Sequence, residues 1–372
     1  MKRLFITLEY PPQIGGIASF VYNLVAHLPK DQLVVWAPTF KGDIEFDAQN
    51  NWKVYRGQPY FLLFWPQWLR LLWQIVKIIK KEKIEELDVH HALPVGYIAY
   101  VIKKFKKIPY TIFFHGTDLE LALKNKKKKL YSVCLLADKI VLNSEFLKNK
   151  LLTAFPNLEK NKIKIINPCP GDIFFQDVPL EVTNKLKSML GLDGKKVIIS
   201  VGRMNDGKGF PQLIRIMPEI LKKIPNTVCV LVGDGPKSAI IMDAVQKNNL
   251  QNVVRFLGNI SYGELPKYYR LADLFVLLTH KDDKAGAEEG WGTSFLEAAA
   301  VGLPVIAGRV GGSEEAVGDG ISGLVIDTAD DEKVAKTITD LLSDRETSKV
   351  MGEVGQERVL REFTWDKQIS NL

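Results

Sequence analysis

Short apolar runs alternate with longer stretches of helical periodicity along most of the chain. Buried strands that alternate with amphipathic helices form parallel sheets with helices on both faces, so the pattern predicts an α/β fold. The predicted strands are residues 4–8, 33–37, 110–114, 139–142, 197–201, 228–232, 274–278, 304–307 and 323–325.

The alternation begins twice, near Leu4 and again near Val197, and a turn-rich segment at 177–195 separates the two halves. A chain of 372 residues is also too long for one ordinary hydrophobic core. We therefore predict two doubly wound domains, residues 1–180 and 191–372, with a cleft between them. Ligands of such sheets bind beyond the carboxyl ends of the strands, so candidate sites should follow strands.

The net charge of +7 is distributed unevenly. Residues 1–190 hold 28 Lys and Arg against 17 Asp and Glu, which gives +11, and the remainder holds 22 against 26, which gives −4. A basic first half indicates an anionic partner, such as a phosphate, a nucleic acid or a membrane surface. We find no motif that combines stacking aromatic residues with a basic groove, which disfavours nucleic acid.

Three widely spaced cysteines, Cys134, Cys169 and Cys229, form neither a zinc motif nor a disulfide framework. We interpret them as reduced packing residues of a cytoplasmic protein. The N-terminus has only a short apolar stretch before Pro11 and Pro12, which predicts a first strand rather than a signal peptide.

Two glycine-containing loops follow predicted strands and are candidates for binding phosphate. In EYPPQIGGI, Gly15 and Gly16 come directly before a predicted helix, whose N-terminus favours an anion; a plain strand-to-helix turn is the alternative. SVGRMNDGKGF matches the first part of a P-loop, but position 209 is glycine and lacks the hydroxyl that would hold magnesium. This excludes an ordinary P-loop NTPase and leaves Arg203 and Lys208 as cations suited to phosphate.

A third candidate lies at residues 287–308, AEEGWGTSFLEAAAVGLPVIAG. Residues 290–292 are predicted to form a turn and 293–301 a helix, whose first N–H groups would also suit phosphate. Glu289 precedes the turn, and Glu297 lies within an otherwise apolar helix. A buried carboxylate needs a partner, and the two hydroxyls of a ribose would satisfy it. The alternative is an ordinary surface ion pair with Lys or Arg.

Taken together, these motifs resemble those of the retaining glycosyltransferases of family 4. The resemblance rests on EYPPQIGGI, HGTD, SVGRMNDGKGF, LVGDGP, VRFLGNI and the pair Glu289 and Glu297 followed by GLPVIAGRVGGSEEAVGDGISGLVI. The motifs occur in the family's order and span residues 9 to about 327. The resemblance implies a GT-B fold, in which two Rossmann-like domains face each other across a cleft. The first domain would bind the acceptor, and the second a nucleotide-diphosphate sugar.

The resemblance also implies a role for each candidate residue. Catalytic roles fall to the cations beside the leaving diphosphate, an acid near the transferred sugar and a histidine that touches it: Arg203, Lys208, Glu289 and His115. Donor-binding roles fall to Glu297 on the ribose, Ile260 near the base, and the backbones of Gly15, Gly16, Gly233, Trp291, Gly292, Thr293 and Ser294. As a bare sequence feature, His115 would more often be a structural residue at a strand end, and the functional role is preferred because of the accompanying motifs. The bulk of Trp291 indicates that it shapes the sugar pocket.

The expected chemistry needs no cofactor and no metal. Two cations and a helix N-terminus stabilise a leaving diphosphate, the family is generally metal-independent, and no Asp-x-Asp motif is present. We read KDDK at 281–284 as a surface loop. Retention would then proceed by same-face attack through an oxocarbenium-like state.

Residues 61–81 and 123–133 indicate contact with an anionic membrane surface. The first segment holds Trp65, Trp68 and Trp73 with a narrow polar stripe, and the second contains five lysines. Such helices lie in the membrane interface, and this one is too short and charged to span a bilayer. The alternative is a core helix followed by a solvated lysine loop.

We therefore expect a cytoplasmic glycosyltransferase, peripheral on the inner membrane face, that acts on a lipid-linked or glycan acceptor. GDP-mannose is preferred as the donor because residues 295–317 look most like mannosyltransferases that act on inositol lipids. A donor of UDP-glucose or UDP-N-acetylglucosamine, a GT-B epimerase or hydrolase without an acceptor, and an inactive membrane-binding partner are the alternatives. The inactive partner should have lost Arg203, Lys208 or Glu297, and all three are present.

Overall fold

The computed structural model describes residues 1–63, 65–281 and 288–372 and divides them into two compact units. The first unit consists of residues 1–167 and 365–372, and the second of residues 168–364. Residues 282–284 of the KDDK segment lie outside the described residues.

The strands are β1 (Arg3–Ile6), β2 (Leu33–Pro38), β3 (Lys53–Gly57), β4 (Glu86–His90), β5 (Tyr110–Phe114), β6 (Lys139–Leu142), β7 (Ile163–Ile165), β8 (Lys196–Val201), β9 (Thr227–Val232), β10 (Val254–Gly258), β11 (Leu274–Leu277), β12 (Val305–Gly308) and β13 (Leu324–Ile326). The α-helices are α1 (Gly16–Ala26), α2 (Asp43–Asp47), α3 (Leu69–Glu82), α4 (Val95–Lys106), α5 (Thr117–Leu136), α6 (Glu145–Ala154), α7 (Leu180–Met189), α8 (Phe210–Lys223), α9 (Ser238–Lys247), α10 (Leu265–Tyr269), α11 (Thr293–Ala300), α12 (Ser313–Val317), α13 (Asp331–Ser343), α14 (Arg345–Glu362) and α15 (Trp365–Ile369).

Each unit is built around one parallel sheet. The first sheet has seven strands in the order β3-β2-β1-β4-β5-β6-β7, and the second has six in the order β10-β9-β8-β11-β12-β13. Both therefore contain the Rossmann order 3-2-1-4-5-6, with a switch point beside their first strand. The predicted pair of doubly wound domains is confirmed.

The division of the chain differs from the predicted boundary. The second unit begins at Pro168, before the turn-rich segment at 177–195, so that segment belongs to this unit. Residues 365–372 return to the first unit, where Trp365 is buried against Phe20, with ring centroids 5.3 Å apart. Neither feature is visible in hydrophobic periodicity, because both are set by long-range packing.

All nine predicted strands are present, with ends shifted by a residue or two, but four strands escaped prediction. β3, β7 and β10 are short edge strands, whose half-exposed residues give little apolar signal. β4 is central and buried, yet it carries Glu86, Asp88 and His90. Arg3 donates to Asp88 at 2.8 Å from the neighbouring strand, and burial nevertheless raises the pKa of Asp88 to about 6. Pairing across the sheet thus permits charges that a sequence pattern assigns to the surface.

Candidate functional site

Three loops of the second unit meet at the carboxyl edge of its sheet. The loop after β8 carries Arg203 and Lys208, and the segment before α11 carries Glu289. The Lys208 ammonium donates to the Glu289 carboxylate, and both side chains are largely shielded from solvent. The Arg203 side chain is exposed, and no residue of the described part of the chain accepts a hydrogen bond from its guanidinium. The structure thus brings together two of the predicted catalytic residues, Lys208 and Glu289, and places Arg203 in the same loop as Lys208.

The backbone of this edge is closely packed at two glycines: Gly233, a candidate residue of the sequence analysis, and Gly312. A Cβ atom at Gly233 would lie 2.0 Å from the carbonyl oxygen of Gly202, and the φ angle of Gly233 is +121°. The carbonyl oxygen of Glu289 accepts from the N–H of Gly312 at 2.8 Å. A Cβ at Gly312 would lie 2.4 Å from the carbonyl oxygen of Gly290. Only glycine fits at these contacts, which hold the loop after β8 against the loop after β9 and the segment before α11 against the loop after β12.

Helix α11 begins directly after this edge. Gly292 precedes it with φ +92°, and no side chain caps its first turn. The N–H groups of Thr293 and Ser294 therefore remain at a helix N-terminus, where the dipole favours an anion. The predicted helix at 293–301 is confirmed and ends one residue earlier, at Ala300.

Glu297 is buried, with 7% of its surface exposed. Its Oε2 accepts a hydrogen bond of 2.9 Å from the hydroxyl of Tyr269, which is fully buried at the end of α10. Burial raises the pKa of Glu297 to about 7, and the Tyr269 hydrogen bond opposes part of that rise. The surface ion pair considered as the alternative is not formed. No sequence pattern indicated Tyr269 as a partner, because its approach to Glu297 depends on how α10 packs.

The side chain of Trp291 corrects one expectation. Its indole is 3% exposed, its Nε1 donates to the carbonyl oxygen of Pro168 at 2.9 Å, and its ring packs against Phe363 at 5.5 Å. A fixed, buried indole anchors the turn to the start and end of the second unit and does not line a sugar pocket. Its backbone still leads into the α11 N-terminus. Ile260 lies half-buried just after the edge strand β10.

In the first unit, Gly15 and Gly16 stand at the start of α1, as predicted, and again no side chain caps the helix. The Glu9 carboxylate lies against this turn, 3.0 Å from where a Cβ of Gly15 would be. A carboxylate beside the turn would repel a diphosphate. The predicted contact of Gly15 and Gly16 with the donor diphosphate therefore stays a prediction, and the position of Glu9 argues against it.

His115 lies at the carboxyl end of β5, half-buried against Phe20, with ring centroids 5.0 Å apart. Its backbone N–H donates to Asp118 at 2.8 Å, and its Nε2 lies 3.3 Å from Nδ1 of His90. Burial lowers the pKa of His115 and of His90 well below the usual range, so both imidazoles are neutral at pH 7. A neutral imidazole exchanges hydrogen bonds with hydroxyl groups.

The apolar stripe of residues 61–81 is divided between core and surface. Leu71, Ile75 and Ile78 of α3 pack into the core, as the structural alternative predicted. Leu63 and Trp65 before the helix are 101% and 85% exposed. The lysines of 123–133 lie on α5, which kinks at Lys126, and not in a loop.

The described residues contain neither a membrane-spanning helix nor a cluster of metal ligands. None of their helices is both long and apolar enough to cross a bilayer. Within the same residues, no group of three or more His, Cys, Asp or Glu side chains is placed to hold a metal ion. The three cysteines are buried and not joined in disulfides, as predicted for packing residues.

Comparison with known proteins identifies the family. The family profile described as Glycosyltransferase Family 4 matches residues 14–169, and that of Glycosyl transferases group 1 matches residues 183–358. An uncharacterised glycosyltransferase of Methanocaldococcus jannaschii is 30% identical, over 100% of this chain and 97% of the relative. A GDP-mannose-dependent alpha-(1-6)-phosphatidylinositol monomannoside mannosyltransferase of Mycolicibacterium smegmatis is 27% identical, over 97% of this chain and 94% of the relative.

Among solved structures, Anabaena HepE in complex with UDP and glucose superposes with a TM-score of 0.83 at 18% identity, covering 100% of this chain and 97% of HepE. This likeness shows the fold. The sequence profiles, the relatives and the two Rossmann sheets agree: the chain belongs to glycosyltransferase family 4 and is a glycosyltransferase of the GT-B fold.

Proposed function

We propose that this protein is a retaining, metal-independent glycosyltransferase that transfers mannose from GDP-mannose to a lipid-linked or glycan acceptor at a membrane surface. The observation that carries the donor site is the buried Glu297 beside Tyr269, one turn into a helix whose N-terminus lies next to Lys208 and Glu289. Burying an isolated carboxylate costs folding free energy, and two hydrogen bonds from the hydroxyls of a bound ribose would compensate for the lost hydration of Glu297.

The proposed chemistry assigns positive charge to the leaving group. Arg203, Lys208 and the N-terminus of α11 would stabilise the diphosphate as the glycosidic C–O bond breaks. A bound diphosphate would compete with Glu289 for the Lys208 ammonium. Glu289 would then turn to the hydroxyls of the transferred sugar, and the acceptor oxygen would attack the same face, giving up its proton to the leaving phosphate.

The preference for GDP-mannose rests on the mannosyltransferase relative at 27% identity. A UDP-sugar donor is the alternative, because HepE, a structural neighbour, binds UDP and glucose. A donor that binds only the folded protein raises its melting temperature, so a panel of GDP, UDP, ADP and dTDP with their sugar conjugates separates these possibilities. We expect shifts with GDP and GDP-mannose. Shifts confined to UDP compounds would change the proposed donor from GDP-mannose to a UDP-sugar. The absence of a shift with every nucleotide would overturn the proposed function.

Lys208→Ala is expected to reduce turnover about 100-fold, because it removes a charged group that stabilises the leaving diphosphate. The matched control is Lys196→Ala, at the start of β8, where the side chain is similarly shielded and lies 3.8 Å from Asp273. Turnover with the donor found in the panel and the melting temperature would be measured for both. Wild-type turnover in Lys208→Ala would contradict the assigned role.

Glu297 gives nucleotide binding a pH dependence with a defined sign. Its pKa is about 7, so the ionised form that accepts ribose hydroxyls predominates at pH 8 and the protonated form at pH 6. The affinity for the nucleoside diphosphate should therefore fall about tenfold from pH 8 to pH 6. Glu297→Gln should bind weakly at both values. Calorimetry on both proteins checks this, because titration of the nucleotide itself is common to both.

The same variant should gain stability where it loses binding. The folded-state pKa of Glu297 lies above the usual value of a glutamate, about 4.5, so wild-type stability falls as pH rises from about 4.5 to about 7. Glu297→Gln should therefore exceed the wild type at pH 8 by up to about 3 kcal/mol, with a smaller difference at pH 5. Glu264→Gln, an exposed acid before α10, is the control. A difference independent of pH would contradict the burial of a titrating carboxyl.

The membrane part of the proposal rests on Leu63, Trp65 and the lysines of α5. Exposed Leu and Trp side chains and a lysine-rich helix in the same unit suit an interface with anionic lipid. The double change Leu63→Ser and Trp65→Ser should reduce sedimentation with phosphatidylglycerol vesicles at least fivefold. Leu180→Ser, an equally exposed apolar residue of the second unit, should leave it unchanged. Equal sedimentation of all three proteins would contradict this surface.

A further inference from the structure

The switch point of the first sheet is the place where its topology favours a ligand. β1 and β4 are neighbours in that sheet, and the chain leaves them toward opposite edges. In doubly wound sheets, the crevice beyond the carboxyl ends of such a pair is where ligands bind. Glu9 follows β1, and His91 directly follows β4.

The carboxylate of Glu9 is held at this crevice with unused acceptor capacity. One oxygen lies 3.7 Å from Nε2 of His91, and the other lies beside the turn at Gly15. Its side chain is 34% exposed. Among the described residues, no donor forms a hydrogen bond with it, although a carboxylate accepts about four.

The backbone of His91 is held in a conformation that side chains rarely adopt. Its φ is +111°, and it is fixed by hydrogen bonds of 3.3 Å from its N–H to Phe113 and from the N–H of Gly96 to its carbonyl oxygen. Such strain persists only where the surroundings over-determine it, and it concentrates at functional sites. The result is a buried imidazole directed at Glu9.

The remaining groups at this edge are two neutral imidazoles and the carboxyl group of Asp118, which accepts hydrogen bonds from the backbone N–H groups of Ala92 and His115. His90 and His115 stack with ring centroids 5.4 Å apart, and neither His90 Nε2 nor His115 Nδ1, both shielded from solvent, has a hydrogen-bond partner among the described residues. Carboxylates and neutral imidazoles offer acceptors to hydroxyl donors, and carboxylates repel phosphates. A phosphate-binding site would show the reverse, with cations at its centre.

We infer that Glu9, positioned by His91, binds a pair of hydroxyls on the acceptor, and thereby selects an uncharged sugar or polyol group at the attacking end over a phosphorylated one. This inference rests on the proposed function, because it assumes that the first unit takes the acceptor. It extends that function by naming the chemistry of the acceptor group. An acceptor lipid would carry its phosphate away from Glu9.

The test uses ligand-observed NMR titration of the full chain with neutral and phosphorylated probes. Methyl α-mannoside, glucose and myo-inositol are each compared with mannose 6-phosphate, glucose 6-phosphate and inositol 1-phosphate. We expect at least one neutral probe to bind the wild type more tightly than its phosphorylated counterpart. Glu9→Gln should weaken binding of that neutral probe at least fivefold. It should also reduce the ratio of the affinity for the neutral probe to the affinity for its phosphorylated counterpart. Glu45→Gln, an exposed acid on α2, should match the wild type.

The positioning role of His91 is tested by a double-mutant cycle. If His91 acts through Glu9, His91→Asn should weaken the neutral probe, and the double variant should bind no more weakly than Glu9→Gln alone. Additive losses would show that His91 acts only through general structure.

Failure of this inference is distinguishable from failure of the proposed function. Nucleotide thermal shifts are measured on the same samples and report the second unit. A wild type that binds nucleotide but no neutral probe, or that prefers the phosphorylated probes, overturns the inference alone. The inference alone is likewise overturned if Glu9→Gln binds the neutral probe with the same affinity as the wild type. Absent nucleotide shifts overturn the proposed function, whatever the probes do.

Discussion

Both sheets depend on one topological constraint, the parallel pairing of their first strand with their fourth. β1 pairs with β4 and β8 with β11, and the remaining strands extend outward from these pairs. The pairing places the loops that follow distant segments at one edge of each sheet. Every candidate residue of the second unit reaches its position through this edge or through a helix that begins there.

The arrangement of the site in the second unit lowers the stability of the fold. Glu297 is buried with one tyrosine hydroxyl as its partner, and Gly233 and Gly312 leave loop backbones in contact where no side chain fits. A protein selected only for stability would replace the carboxylate by an apolar residue of similar size. That a buried acid occurs in a helix of alanine and leucine is better explained by a ligand than by packing.

Charged side chains are distributed differently in the first unit. Arg3 and Asp88 pair within the sheet, whereas the Glu9 carboxylate lies partly exposed at the carboxyl edge of the sheet, 3.7 Å from Nε2 of His91. The positive charge of this half of the chain lies on the helix surfaces, notably the lysines of α5. The net charge of the first half therefore describes its outer surface, and the edge where we place the acceptor has the opposite character.

Sequence by itself determined the fold class, the nine apolar strands, the α11 helix and the family, because hydrophobic period and glycine-rich turns are local properties. It also singled out Lys208, Glu289 and Glu297. Only the tertiary structure decided their partners: the Lys208 contact to Glu289, the Tyr269 hydroxyl on Glu297 and the burial of Trp291. Charged β4, the unit boundary at Pro168 and the open carboxylate of Glu9 likewise required it, since each depends on which distant segments pack together.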